Sequence, residues 1–534
     1  MSNLQMSNDI ADSNQRAENV SPNNEFHSYN GNEASNLPTV ITTEKDSKEK
    51  SNLPSFDASS DRIVKWDKPS DPGNPKDWPM TRKWAATTVV SAFAFISPVA
   101  SSMVAPALED IGRDLNVHSS AVRALMLSIF LLAYALGPLV VGPLSELYGR
   151  VPVLQLSNLF FLIFNLACGF AQTGTQMIVC RFFAGLGGSA PLSIGGGVLA
   201  DCWHAEQRGR AIAIYSLAPL LGPAVGPIAG AFITGNTTWR WIFWASSLLC
   251  LAIQLVGLLF LQETYAPILL EKKAQNLRKE TGDDSWYVDV PRVTAVNWLS
   301  NVRVSIARPF IMLATQPIII VIAIYMAYLY GLTYLVLSSF PGLFTNPAYY
   351  NMSTEMGGLN YIALGLGYLM GAEMTARIND FTYNRLKRRN NNVGIPEFRA
   401  PVMIPCSILL PIGFFWYGWT AQTHQHWILP DIGAFFIAMG TVSGIQTMQS
   451  YVVDAYTRYA ASGMAAVLVL RSLAGFGFPL FAPAMYNALG YSWGNSLLAF
   501  VAIALGVPAP YLLWKYGEAL RAKSKFAAGD LTVG

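Results

Sequence analysis

The sequence predicts an all-α membrane protein, with twelve transmembrane helices in two six-helix bundles. Three observations predict it. The 534 residues are 52% hydrophobic and only 13% charged, roughly half the charge of an ordinary soluble domain. Apolar runs of about 20 residues, each long enough to cross about 30 Å of hydrocarbon as a helix, recur twelve times from Lys83 onward. A polar stretch, 263–312, divides them six and six.

In chain order, residues 1–80 read as a cytosolic, largely disordered tail. The first sixty are rich in Ser, Asn, Glu, Asp and Lys, with too few large apolar residues to offset chain entropy by burial. No basic start followed by an apolar core marks a signal peptide, so this terminus is expected to stay in the cytosol. Runs near 84–106, 122–141, 152–171, 177–200, 210–233 and 239–262 form the N-terminal bundle, 81–262. The linker 263–312 carries "EKKAQNLRKETGDDS". Runs near 313–337, 357–376, 401–421, 430–453, 460–485 and 491–514 form the C-terminal bundle, 313–515, and 516–534 is a second cytosolic tail.

Lys and Arg set the orientation. Loops on one side hold 17 of them, including Arg150, Arg210, Lys273, Arg399 and Arg458, against Arg113, Arg123 and Arg240 on the other. Positive loops stay inside, which places both termini in the cytosol, with the plasma membrane the expected location. Two sequons, Asn236-Thr-Thr and Asn351-Met-Ser, then face outside, where glycosylation is expected. Asn19-Val-Ser falls in the cytosolic tail and is expected to stay unmodified.

Charge and cysteine usage exclude several classes. A balance of 36 basic against 33 acidic residues gives no footprint for nucleic acid. The five cysteines form no CxxC or Cys/His pairing and read as small buried residues, with neither disulfide nor metal implied. An embedded enzyme should show an intramembrane His/Asp/Glu cluster or HExxH spacing, and neither is present. A receptor would not need two six-span halves.

The loop after the second run reads "GPLSELYGRVPVL", residues 142–154. It resembles the loop signature of the major facilitator superfamily, with Gly142, Glu146, Gly149 and Arg150 on its defining positions. Glu146 replaces the more usual Asp, and Tyr148 and Pro152 stand where basic residues are often found. "RFFAGLGGSAPLSIGGGVLAD", residues 181–201, resembles the family's second motif; its glycine triplet lacks the Lys-Ser/Thr ending of a phosphate loop. "LAPLLGPAVGPIAGAFI", residues 217–233, resembles the fifth-span motif of the drug:proton antiporter branch through Gly222, Pro223, Gly226, Pro227 and Gly230. Pro227 stands where the commonest version has glycine. With "KWDKPSDPGNPKDWP", "TTWRWIFW" and "QET", the whole resembles fungal twelve-span drug:proton antiporters from about 65 to 515.

The glycines and prolines of 217–233 share one broad helical face with almost no side chains. Lipid tolerates such a helix because no water competes for its backbone, and small residues let a partner helix approach closely. The resemblance implies that this face seals the fifth span against a helix of the other half and biases the cycle toward export.

Charges at membrane depth are costly and therefore functional candidates. Arg471 lies mid-way through the eleventh run and Arg181 one turn inside the fourth; with Glu146, Arg150, Asp201 and Glu373 they form the coupling and gating set. A proton carrier should be a desolvated carboxylate. No mid-span carboxylate is visible, so Asp201 and Glu373 are the candidates, with helix-end salt bridges as the alternative reading. Tyr325, Tyr328, Tyr330 and Tyr334, Gln446 and Gln449, and Phe476, Phe478 and Phe481 are the candidate lining of a greasy cavity. Helical spacing lets only one tyrosine pair, Tyr325/Tyr328 or Tyr330/Tyr334, face a central path. Aromatics and amides with little fixed charge suit neutral or weakly cationic compounds.

The reading is a secondary active transporter, monomeric and lipid-embedded, that exports an amphipathic small molecule. It uses the proton gradient and no cofactor. A polyamine or other nutrient transporter on the same scaffold is the alternative.

Overall fold

A computed structural model of the protein describes residues 62–67, 69–204, 207–288, 306–456, 460–522 and 524. The expected disorder of residues 1–61, the sequon at Asn19, and Arg292, Arg303 and Arg458 lie outside them.

The described residues are almost wholly helical. They begin with α1 (Met80–Ser102), α2 (Leu108–Asp114), α3 (Ser120–Tyr148) and α4 (Arg150–Cys168). Next come α5 (Gly174–Gly188), α6 (Ala190–Cys202), α7 (Arg208–Asn236) and α8 (Arg240–Phe260). The connecting stretch carries α9 (Ala266–Thr281) and α10 (Ile306–Thr315). The second set is α11 (Pro317–Thr345), α12 (Thr354–Leu359), α13 (Tyr361–Arg389), a 3-10 turn Pro396–Val402, α14 (Met403–Gln422), α15 (Ile428–Ala455), α16 (Ala460–Gly506) and α17 (Pro508–Ala522). In hydrocarbon only such internally bonded backbone is affordable.

Among the described residues, ten segments are long and apolar enough to cross a membrane. One of them, Ser462–Ala522, has 61 residues and would be about 90 Å long if straight. Gly490 breaks it, at φ 68° and ψ 178°, a conformation open to glycine and strained for other residues. The 29-residue α13 is not among the ten, because Glu373, Arg377 and Asp380 interrupt its apolar run. The fourth expected run is also not one smooth helix: α5 gives way to α6 at Ser189, just before Pro191.

The bundle has two chemically distinct ends. Arg150, Asp201 and Glu263 meet at one, as do Arg399 with Asp454 and Glu397 with Arg521; this is the basic end. At the other, Asp114 meets Arg240, and Gly235, beside the Asn236 sequon, lies against Glu355 of α12, close after the Asn351 sequon. This is the sequon end.

Packing between helices rests on close approach and polar contacts, as expected where lipid removes the hydrophobic drive. Asn158 of α4 donates to Gln254 of α8 at 2.6 Å, and Asn165 of α4 donates to Ser246 and Ser247 at 2.8 and 2.9 Å. The outward face of α8 is the reverse, with Leu248, Leu255, Leu258 and Leu259 exposed. Such an apolar stripe is stable only against lipid or a partner.

The last described part of the tail meets the linker. Residues 62–67 and 69–79 lie against the linker and its helix α9. Val64 N–H donates to the Tyr287 carbonyl at 2.9 Å, while Lys273 of α9 pairs with Asp71 at 2.7 Å and Asp67 at 2.9 Å. Burial pushes the Asp71 carboxyl up, but hydrogen bonds from Lys273 and from the N–H groups of Asp67 and Gly73 outweigh it and leave the group below its ordinary value. An acid so depressed stabilises the docked state above the ordinary carboxylate range, and that contribution is lost as pH falls through its lowered value. Replacing Lys273 with Ala should free the segment, so that trypsin cuts at Lys65 and Lys76 several-fold faster at pH 7.5. Unchanged cutting rates contradict the docking.

Candidate functional site

The small face of α7 comes first, because it positions everything else. Gly222, Gly226 and Gly230 close directly on α1. A methyl on Gly222 would lie 2.5 Å from Pro98 Cβ, and one on Gly226 would lie 2.6 Å from the Val99 carbonyl oxygen. Gly230 meets the Met103 carbonyl, and Ser102 Oγ donates to the Gly222 carbonyl at 3.1 Å. Pro223 and Pro227 ride in the same helix with Pro219.

The implied seal against the other half therefore needs correction: the motif glycines bind α7 to its own half. The other half is met by a second face of α7. There Ala224 lies against Gly365, Ala231 against Gly358, and Gly235 against Glu355. Small residues now come from both partners, and α7 is sandwiched between α1 and the α12–α13 pair. A further contact between the sets is α3 on α16, where Leu131 reaches Gly475.

At the basic end the signature loop is built around Glu263, which leaves α8. Its carboxylate accepts the N–H groups of Arg150 at 3.0 Å and Val151 at 3.2 Å, and also those of Thr264 and Tyr265. An acid at the first N–H groups of α4 satisfies donors that have no helical partner and complements the helix dipole. Gly149, at φ 103°, is required here, since a side chain would strike that carboxylate. Arg150 donates to Ser145 Oγ at 2.7 Å, lies over the Tyr265 ring at 4.8 Å and pairs with Asp201 at 3.6 Å. Glu146 is exposed and, among the described residues, has no ion pair. Its charge reaches only the Tyr265 phenol, which burial first and Glu146 second raise above its ordinary value.

The second half repeats this design, unnoticed in the sequence. Arg399, after α13, pairs with Asp454 of α15 at 2.9 Å and lies over Tyr383 at 4.3 Å. Glu397 is 3% exposed and takes a bidentate hydrogen bond from Arg521 at 2.8 and 2.9 Å, with a third from Tyr451.

Neither candidate proton carrier is a lone desolvated carboxylate. Asp201 is tied to Arg150, with Thr264 at 3.5 Å. Glu373 is exposed and pairs with Arg377 one turn along its own helix at 2.7 Å. A buried, unpaired carboxylate does exist and was missed: Asp431, in the first turn of α15, is 8% exposed, and its Oδ1 has no hydrogen-bond partner. Its proximity to the helix start hid it among loop residues.

Arg181 is fully buried and satisfied without an acid. It donates to the carbonyls of Met126, Ala100, Ser101 and Leu127 at 3.1, 3.1, 3.0 and 3.4 Å and lies over Phe130. Ala100 and Ser101 sit in the last turn of α1, where carbonyls lack helical donors; Arg181 thus ties α5 to α1 and α3. Arg471 is different. Its guanidinium stacks on Tyr330 at 4.5 Å, and its Nε is buried with no acceptor.

The tyrosine pairs separate by helix face. Tyr325 faces Cys406 of α14 at 3.4 Å, and Tyr328 donates to the Leu498 carbonyl beside Phe478, so both lie within the second helix set. Tyr330 and Tyr334 pack against each other at 5.2 Å, their rings tilted by 52°. Tyr330 also covers Gly475, where α3 arrives. Tyr134 of α3 and Tyr368 of α13 lie within electrostatic reach of Tyr330; the sequence reading did not single them out. Phe478 packs on Gly331, Phe476 packs against the core, and Gln446 and Gln449 are half-buried on α15. Asn236 and Asn351 are exposed. Among the described residues no cluster of three metal-ligating side chains occurs.

Comparison with known proteins agrees with this architecture. The profile of the family described as Major Facilitator Superfamily matches residues 90–479. The chain is 49% identical over 495 residues to the efflux pump vrtL of Penicillium aethiopicum, covering 92% of this chain and 95% of that protein. It is 42% identical over 465 residues to the efflux pump radE of Floropilus chiversii, covering 87% and 86%. Among solved structures it resembles the xylose transporter XylE of E. coli in a partially occluded inward-open conformation. The TM-score is 0.61 at 14% identity, over 82% of this chain and 98% of that one.

Glu263→Ala should lower the stability of the purified protein by about 1–3 kcal/mol, the range for a lost cap and charged hydrogen bonds. Glu373→Ala, which breaks only an exposed pair, should change it by less than about 0.5 kcal/mol. Thermal unfolding in detergent checks both; equal shifts contradict the capping role of Glu263.

Proposed function

This chain belongs to the major facilitator superfamily of small-molecule transporters, and we propose that it exports amphipathic small molecules from the cytosol in exchange for protons. Twelve passes in two six-helix bundles are the fitting arrangement. The ten apolar segments become twelve when Ser462–Ala522 is divided at Gly490 and α13 is counted. The basic end is the cytosolic one by the positive-inside rule, with both termini there, and the plasma membrane is the site of export. Asn236 and Asn351 then face outside as glycan acceptors.

One observation carries the mechanism: the close approaches between the helix sets run along α7 from Ala224 to Gly235 and at Leu131 with Gly475. Contact of this kind toward the sequon end leaves the basic end free to part, as alternating access by rocking bundles requires. Arg150–Asp201 and Arg399–Asp454, each within one bundle, brace the cytosolic ends of the two bundles. Tyr330, Tyr334 and Arg471 line the path between the bundles, and Arg181 holds the first bundle rigid. The printed names of the relatives, efflux pumps, support the direction of transport. Polyamine transport is the weaker reading, because no carboxylate pairs with Arg471 or joins the aromatic set among the described residues.

Cells expressing the protein should accumulate less of an exported amphipathic dye than cells without it. Dissipating the proton gradient should abolish that difference; a difference that persists contradicts proton coupling.

A further inference from the structure

We propose that the path between the two helix sets selects an anionic cargo, an aromatic compound bearing a carboxylate or similar acid, with Arg471 as its anchor; this rests on the export reading above and specifies its cargo. A guanidinium at membrane depth survives where an acid or a ring of carbonyls compensates it. Arg181 has its carbonyls. Arg471 has a tyrosine face and, on its buried Nε, nothing.

The acids that could have answered it are engaged or sealed elsewhere. Asp201 pairs with Arg150, Asp454 with Arg399, Glu397 with Arg521 and Glu373 with Arg377. Asp431 is enclosed near the sequon end, where its charge reaches Tyr350. Beside Arg471, Tyr330 packs against Tyr334, and the Tyr334 phenol meets the buried Ser101 of α1.

The region therefore offers a buried donor without an acceptor, Arg471 Nε, beside two aromatic rings. A carboxylate is the complementary group: it carries only acceptors and matches the Nε–Nη edge of arginine with two parallel hydrogen bonds. The tyrosine faces receive the aromatic body. A cationic cargo would meet Arg471 with no compensating acid among the described residues, and a neutral cargo would leave Arg471 Nε unanswered. The expectation of neutral or weakly cationic cargo counted how few charges the spans contain. What decides the matter is that the uncompensated charge beside the tyrosines is positive.

Three probes sharing one aromatic body test this: 1-pyrenebutyric acid, its methyl ester and 1-pyrenemethylamine. Equilibrium binding to the full-length protein in detergent is read by fluorescence anisotropy at pH 7.5, and export is read in parallel from loaded cells. The acid should bind about tenfold more tightly than the ester, as expected of a charge-assisted hydrogen bond, and the amine should bind most weakly. R471Q should erase the preference for the acid, and R471K should retain part of it, both eluting as folded protein. Equal binding of acid and ester, tighter binding of the amine, no binding of the acid, or an undiminished acid preference in R471Q overturns the proposal. Gradient-driven export of the ester or amine without acid preference leaves the export reading standing while this one fails. Acid-selective binding with no export does the reverse.

Discussion

In hydrocarbon a helix gains little by turning apolar side chains toward a neighbour, so α7 is held by closeness instead. On one side Gly222, Gly226 and Gly230 bring its backbone onto α1; on the other Ala224 and Ala231 meet glycines of α12 and α13. Backbones at this separation gain dispersion contacts along their whole length, and they tolerate no added methyl. The first contact makes α7 part of the N-terminal set. The second makes it the surface on which the C-terminal set rests. The ion pairs, tyrosines and buried arginines belong to the two sets that this sandwich joins.

The two contacts have different chemistry, and the difference suits a moving part. The α1 side interlocks through backbone atoms and a serine hydrogen bond, Ser102 to Gly222. The α13 side is smooth, alanine methyl on glycine. A smooth face can part and re-form without stripping polar groups of partners. The ion pairs Arg150–Asp201 and Arg399–Asp454 each lie inside one helix set, so they brace the basic end of that set and need not break when the sets move apart.

Most of the helical plan was legible in the sequence because apolar runs of membrane length are a strong signal. The signature loop was legible too, although its working acid was not: the eye falls on Glu146 within the loop, whereas Glu263 arrives from more than a hundred residues away to cap α4. The same non-local logic hid Glu397 with Arg521, 124 residues apart. Helical spacing narrowed the tyrosines to two opposed pairs but could not name their neighbours; Cys406 and Leu498 take one pair inside the second set, and Arg471 lies beside the other. Asp431 was lost for a different reason. A carboxylate in the first turn of a helix reads as a cap or a loop residue, and only the burial around it marks it as unusual.

The central claim is that the helix sets separate at the smooth face of α7 during each cycle. Cysteines replacing Gly235 and Glu355, which touch at the sequon end, test it most directly. Oxidised to a disulfide, the double variant should lose export of a dye that the unmodified protein exports and regain it on reduction, while each single variant exports throughout. Full export by the disulfide-locked protein would contradict the account.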